Sequence, residues 1–242
     1  MRCGILSDIK FTKDNLNECL KELAKEFRKA NGKHVRAEII LVGGASILVN
    51  YDFRQMTYDI DAVTYTNSAI KDVINRVGDR LGLPNGWLNA DFTRTTSYTS
   101  KISQFSKYYK TFLNVLEVRT ISSEYLIVMK LMSGRQYKND LSDIIGILIE
   151  QKNMGDTITF DRIKYATKEM YGDYDCLPKS SRDFIEEIFH TDDLQSLYEK
   201  TKIEESENKK ILINFQEEYP SVLNGNNLEE ILNTIKEKSK QL

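Results

Sequence analysis

The chain has 242 residues, with 34 Lys and Arg against 36 Asp and Glu, a formal net charge of −2 and 40% hydrophobic residues. That length buries a sizeable core, as one large domain or as one domain with a smaller companion. Three Pro and 12 Gly exclude a collagenous or disordered chain, and the balanced charge excludes a protein that coats nucleic acid without specificity.

No run approaches the length of uncharged apolar residues that a membrane span needs. The opening residues, MRCGILSDIKFTKD, carry no apolar core or cleavage site of a secretory signal. Cys3, Cys19 and Cys176 are too scattered for a disulfide framework or a zinc site, and a cytoplasmic setting is expected. His34 and His190 are the only histidines, which leaves little room for His-based catalysis.

In chain order, residues 12–31 read as an amphipathic helix capped by Thr12, with Leu16, Cys19, Leu20, Leu23 and Phe27 at helical spacing. Glu38–Val42 reads as a buried strand running into Gly43-Gly44, and Ala45–Tyr51 as a short helix. Asp59–Tyr65 alternates acidic and apolar residues, which predicts a strand with Asp59 and Asp61 on one face. Ser68 is the expected cap of a helix reaching Leu81. Residues 87–112 give no clear period. Leu113–Ile121 reads as a strand, Ser122 or Ser123 opens an apolar helix through Leu131, and Asn139 caps a helix to about Lys152. After Gly155 only helices are expected, at 160–171, 180–190, 192–218 and 227–240. The seam between an α/β half and a helical half falls near Asn153–Asp156.

Charge is unevenly spread. Residues 183–207 carry nine acids and two lysines, a net of −7, and read as a solvated helix face. Residues 92–116 contain no acid and four bases, Arg94, Lys101, Lys107 and Lys110, interleaved with Phe92, Tyr98, Phe105, Tyr108, Tyr109 and Phe112. Bases among aromatics can hold phosphates and stack the bases of a single-stranded end. A strand pair with exposed lysines would give the same composition.

The chemistry concentrates in Leu41–Val63, LVGGASILVNYDFRQMTYDIDAV. Glycines without a Cβ let the backbone approach a phosphate, and helix N-terminal amides face it. Ser46 adds a hydroxyl donor. Asp59 and Asp61, two apart in a strand, suit one or two Mg²⁺ ions bridging triphosphate oxygens. Two acids that close cannot flank a glycosidic bond.

This order of parts resembles the signature of the nucleotidyltransferase superfamily related to DNA polymerase beta: a hydrophobic strand, Gly-Gly, a short helix, then acid-hydrophobic-acid. Residues 124–148, EYLIVMKLMSGRQYKNDLSDIIGIL, look like the distal motif of its AbiEii-type branch. The Arg54-x-x-Thr57-x-Asp59-x-Asp61 run is similar to that branch's first motif. The resemblance spans about residues 38–150. It implies an α+β nucleotidyltransferase fold, a mixed sheet with flanking helices over residues 1–153, followed by an all-helical region at 154–242.

By residue, the resemblance implies Asp59 and Asp61 as metal ligands and catalytic carboxylates, with Gly43, Gly44 and Ser46 as phosphate loop. Arg54, Thr57 and Arg135 would contact the nucleotide, and Lys130, Asp140 and Asp143 would join the catalytic set. A third metal carboxylate is expected at Glu117, with Asp91 as the alternative. The expected reaction is Mg²⁺-dependent transfer of NMP from an NTP to an acceptor hydroxyl. The acceptor implied by the AbiEii-like toxins is a tRNA 3′ end, gripped here by Lys101, Lys107, Lys110 and Tyr108, with a cognate antitoxin as protein partner. The alternative is a catalytically silent module of the same fold that binds a nucleotide or a protein partner.

Overall fold

The computed structural model describes residues 9–66, 70–225 and 227–239. The described residues form α1 (Lys13–Asn31), β1 (Ala37–Leu41), α2 (Gly43–Asn50), β2 (Ile60–Tyr65), α3 (Ile70–Leu81), β3 (Leu88–Asn89), β4 (Ser106–Phe112), β5 (Leu116–Ile121), α4 (Ser123–Ser133), α5 (Asp140–Asn153), α6 (Phe160–Tyr171), α7 (Lys179–His190), α8 (Leu194–Glu218) and α9 (Leu228–Ser239). The fold is α+β, a mixed five-stranded sheet with flanking helices and a helical C-terminal region. The Ser68 cap expected for α3 lies outside the described residues.

Two compact units divide the chain. Among the described residues, one takes those up to Met129 together with Asp161–Tyr174, and the other takes Lys130–Phe160 with those from Asp175 on. This differs from a single seam at 153/154, because side chains bind across it on both sides. Within the first unit Arg162 pairs with Glu124 (3.2 Å), Tyr171 donates to the Ser97 carbonyl (2.6 Å) and Lys101 to that of Glu169 (3.0 Å). Within the second, α5 is bound by a carboxylate of α8, as described below.

In the first unit the strand order is β3-β2-β1-β5-β4. Strand β1 runs antiparallel to β2 and parallel to β5, and β4 forms an antiparallel hairpin with β5. Helix α1 begins as the sequence predicts. The Thr12 hydroxyl accepts the Asn15 amide and the Asn15 side chain accepts the Thr12 amide, so two orphan donors are satisfied reciprocally.

Residues directly opposite one another in a sheet share a face. One face carries Ile39, Leu41, Ile60, Ala62, Leu116 and Val118, all buried in one cluster with Leu16, Leu20, Leu23 and Phe27 of α1 and Val73 and Val77 of α3. Arg80 also bridges α3 to Glu22 (2.9 Å) and Glu26 (3.1 Å). Such exposed pairs contribute roughly 0–1 kcal/mol, against roughly 1.5–3 kcal/mol for each large apolar side chain buried, so the apolar seam holds the helices. The opposite face carries Asp61, Val63, Tyr65, Glu38, Glu117 and Arg119, half-buried or exposed. One face is core, while the other is mixed, since Ile40 and Ile121 on it are also buried.

The stretch without a clear period contains β3, a 3₁₀ turn at Asp91–Arg94, another at Ile102–Phe105 and all of β4. A bulge between Tyr108 and Lys110 breaks the alternation that would have marked β4. The strand expected from Leu113 begins at Leu116 instead. Leu113 (φ 50°) and Asn114 (φ 58°) form the hairpin turn, closed by Val115 N–H donating to the Phe112 carbonyl (3.1 Å). Two central residues at positive φ match the twist of the flanking strands, and Asn tolerates that conformation better than Leu. Replacing half-exposed Leu113 by Asn should therefore raise the melting temperature by an amount worth about 1 kcal/mol. A lower melting temperature in thermal denaturation would contradict this turn.

Candidate functional site

Helix α2 starts at Gly43 directly after β1, so both glycines lie inside it, where a turn ahead of the helix was expected. Its cap, Val42, offers no side-chain acceptor, and the Val42 amide donates to the Asp61 carbonyl across the strand pair (3.0 Å). A Cβ on Gly43 would sit 3.6 Å from Asp61 Oδ2, so the carboxylate lies over the helix start. A Cβ on Gly44 would sit 2.7 Å from Thr57 Oγ1 and 2.9 Å from Arg54 Nη2. Gly44 is therefore required first by packing: a larger residue would push Thr57 and Arg54 away.

Those two side chains are fixed from below. Thr57 is buried and forms an isolated antiparallel bridge with Phe11, with N–H to carbonyl distances of 2.7 and 2.9 Å. Its hydroxyl donates to the Asp59 carbonyl (3.2 Å) and approaches Asp59 Oδ1 (3.4 Å). Arg54 Nε donates to the Met56 carbonyl (3.1 Å). Arg54, Thr57, Asp59 and Asp61 thus converge with Gly43 and Gly44 on the start of α2. Asp59 lies just before β2, not within it, and is exposed, while Asp61 is half-buried. Ser46 is fully buried and its Oγ has no hydrogen-bond partner among the described residues. It lies under the helix start, not on the surface that a phosphate would touch.

Glu117 shares the mixed face with Asp61, but register keeps them apart. Glu117 pairs with Glu38, which pairs with Tyr65, four residues along β2 from Asp61. That is roughly 13 Å at the rise of a strand. Its carboxylate instead accepts from Arg119 Nη1 (3.1 Å), and Arg119 Nε donates to Ser106 Oγ (2.8 Å). Asp91 is exposed in its 3₁₀ turn, its amide donating to Asn89 Oδ1 (2.8 Å). Among the described residues no three His, Cys, Asp or Glu side chains group as a metal site. Asp59 and Asp61 are the two carboxylates near the start of α2, and Mg²⁺ is commonly held by one or two carboxylates, with substrate phosphates and water completing its octahedron. The residues present fit one such ion.

Most residues of the acid-free stretch are exposed, but its aromatics are largely packed. Phe92, Phe105 and Phe112 are buried, Phe105 stacks on Tyr125 at 4.1 Å, and Tyr109 packs against the core with its hydroxyl donating to Asn17 (3.1 Å). Tyr108 is 57% exposed on edge strand β4, where Lys107 and Lys110 are also exposed. Lys110 lies over the Phe112 ring at 5.2 Å, and Lys101 is tied to Glu169 as above. The interleaved aromatics are explained by packing, with Tyr108 as the exception.

In the second unit, Lys130 Nζ reaches Asp140 Oδ1 (2.7 Å) and Asp143 Oδ2 (2.8 Å), all three residues buried. Arg135 Nε donates to Asp140 Oδ2 (2.7 Å) and Nη2 to Oδ1 (3.2 Å), with a third of its side chain exposed. A buried lysine needs such partners. Burial resists a charge on Asp140, but Lys130 and Arg135 outweigh it and hold the carboxyl well below the usual carboxylate range. Gly134, at φ 55°, ends α4, and a Cβ there would meet Ser181 Oγ at 2.6 Å. Asn139 makes no side-chain cap for α5. Glu205 of α8 does this instead, accepting from the Leu141 amide (2.8 Å), the Ser142 amide (3.3 Å) and the Ser142 hydroxyl (2.5 Å). The sequence gives no signal for this, since Glu205 sits in an acidic run that reads as solvated.

Residues 18–174 match a family described as nucleotidyltransferase of unknown function (DUF6036), and the chain belongs to that family. No curated protein matches it, and no solved structure does. Among the described residues no helix is long and apolar enough to cross a membrane.

Two outcomes follow from this geometry. Gly44→Ala should cost about 1–3 kcal/mol by overpacking, and adding Thr57→Ala should recover part of it. Strict additivity of the two in denaturant unfolding would contradict the contact. Burial pushes the Glu205 carboxyl from 4.5 up to about 8, against the hydrogen bonds from Ser142 and Leu141 and with help from Asp143. A raised carboxyl means the folded chain holds a proton that the unfolded chain releases, so stability falls as pH rises from about 4.5 to 8. Glu205→Gln should therefore gain on the parent protein in melting temperature across that window. A constant offset between pH 5 and 8.5 would contradict it.

Proposed function

We propose that the protein transfers a nucleoside monophosphate from an NTP to an acceptor hydroxyl, with Mg²⁺ held by Asp59 and Asp61. The observation that carries this is the bracketing of the α2 start by a guanidinium and a carboxylate, Arg54 and Asp61. The first amides of α2 and the Arg54 cation suit phosphate oxygens. Thr57 steadies Asp59 by its hydroxyl. When bound, Mg²⁺ would neutralise phosphate charge and favour in-line attack. The chain's own part is to position and to balance charge, and no side-chain nucleophile is required.

The finer reading follows the resemblance to the AbiEii-type branch: a cytoplasmic toxin–antitoxin or phage-defence enzyme, acting on a tRNA 3′ end and restrained by a cognate antitoxin. Tyr108, Lys107 and Lys110, exposed on β4, are the groups that would touch such an acceptor. A silent module that binds a nucleotide or a partner is the second reading, favoured by one observation: Glu117 stands in a different register row from Asp61.

Incubation with each α-labelled NTP, Mg²⁺ and total cellular RNA or protein tests the proposal. Label should pass to one acceptor class and should fall to background in Asp59→Ala/Asp61→Ala. Equal labelling by that double variant, or no labelling with any NTP, would favour the silent module.

A further inference from the structure

The shortest strand of the sheet lies where the sequence loses its period, just after Trp87. Strand β3 pairs with β2 through two residues, Leu88 opposite Ile60 and Asn89 opposite Asp61. Asn89 and Asp61 therefore share a face, on backbones about 4.8 Å apart. A ladder of two residues is weak by itself, and side chains of this segment supply what the backbone does not. The Asn89 side-chain nitrogen donates to the Gly86 carbonyl (3.3 Å), and its oxygen accepts the Asp91 amide (2.8 Å). One side chain thus closes both the turn that enters β3 and the turn that leaves it.

Trp87, buried and one residue before β3, anchors the segment to the core. Its Nε1 donates to the Ile74 carbonyl of α3 (3.0 Å), and its ring packs beside Gly78, where a Cβ would meet Cδ1 at 3.1 Å. The same ring lies 6.4 Å from that of Phe11. Phe11 is bridged to Thr57, whose hydroxyl donates to the Asp59 carbonyl. The two neighbours of Leu88 thus reach the two carboxylates of the candidate site by separate routes. Trp87 reaches Asp59 through Phe11 and Thr57, and Asn89 reaches Asp61 across the strand pair.

We infer that the segment Trp87–Asn89 sets the spacing of Asp59 and Asp61, with Trp87 and Asn89 as positioning residues for the cation those carboxylates hold. The inference rests on the cation reading of Asp59 and Asp61 given above. Asp61 is the second residue of β2, and the strand start is held by the Val42 amide on one side and by Asn89 on the other. A shift of β3 is therefore a shift of Asp61.

The test titrates Mn²⁺ into the full chain with an equimolar mixture of the four NTPs. Electron paramagnetic resonance reads bound Mn²⁺, and hydrogen exchange reads the Asp91 amide. Asn89→Ala should quicken that exchange and weaken Mn²⁺ binding roughly tenfold, the lower end of what losing a supporting residue costs a metal site. Asn89→Ser, whose hydroxyl can still accept the Asp91 amide, should restore most of the affinity. Trp87→Phe, which keeps a ring against Phe11, should bind Mn²⁺ more tightly than Trp87→Leu. Phe112→Ala, in the core at the opposite edge of the sheet, should lower the melting temperature and leave the affinity unchanged. Quickened exchange with unchanged Mn²⁺ affinity in Asn89→Ala overturns the inference. Equal affinity in the two Trp87 variants, or a loss in Phe112→Ala as large as that in Asn89→Ala, also overturns it. A parent protein that binds no Mn²⁺ overturns the cation reading and the inference together, whereas the other outcomes leave that reading standing.

Discussion

The absence of a Cβ at Gly44 is the constraint on which the candidate site depends. Without that atom, Thr57 and Arg54 close onto the first turn of α2. Thr57, clamped by its bridge to Phe11, then holds Asp59 through its hydroxyl. Strand pairing does the rest, since Val42 bonds the Asp61 backbone and brings its carboxylate over Gly43. A cation, two acids and the first amides of α2 are gathered by one strand pair and one short helix. Apart from Phe11, the residues of this set all lie within 41–61, so the arrangement is written compactly in the sequence.

The second unit solves a different problem. Lys130 lies in an apolar helix, and an unpaired ammonium there would be costly. Asp140 and Asp143, one turn apart at the start of α5, enclose it, and Asp140 shares its charge with Arg135. The polar groups of the connecting turn are then taken up by Glu205, Asn208 and Glu229. The acidic stretch of the chain is thus not all solvated surface: Glu205 is 3% exposed and caps a helix.

Much of this was legible in the sequence, for physical reasons that differ by element. Helical periods placed α1 and α3 within a few residues, because each buries one side of a regular pattern. Strand β1 and helices α4 and α5 were legible instead as apolar runs that the fold buries on more than one side. The run from Gly43 to Asp61 was legible because its parts are near in sequence. Glu117 was not, since a hydrophobic-acid-hydrophobic pattern identifies a strand but carries no information about which residue it faces. The aromatics of residues 92–112 were ambiguous because a bulge and two 3₁₀ turns erase the period. Glu205 was hidden because its partners are more than sixty residues away. The net charge of −2 likewise conceals a cancellation between a basic stretch and an acidic one.

The central claim is that Asp59 and Asp61 form a cation site at the start of α2. Titration of Mn²⁺ in the presence of NTP, followed by electron paramagnetic resonance, tests it most directly. The account predicts a bound Mn²⁺ signal in the parent protein that is lost in Asp61→Asn and kept in Glu117→Gln. An unchanged signal in Asp61→Asn would contradict it.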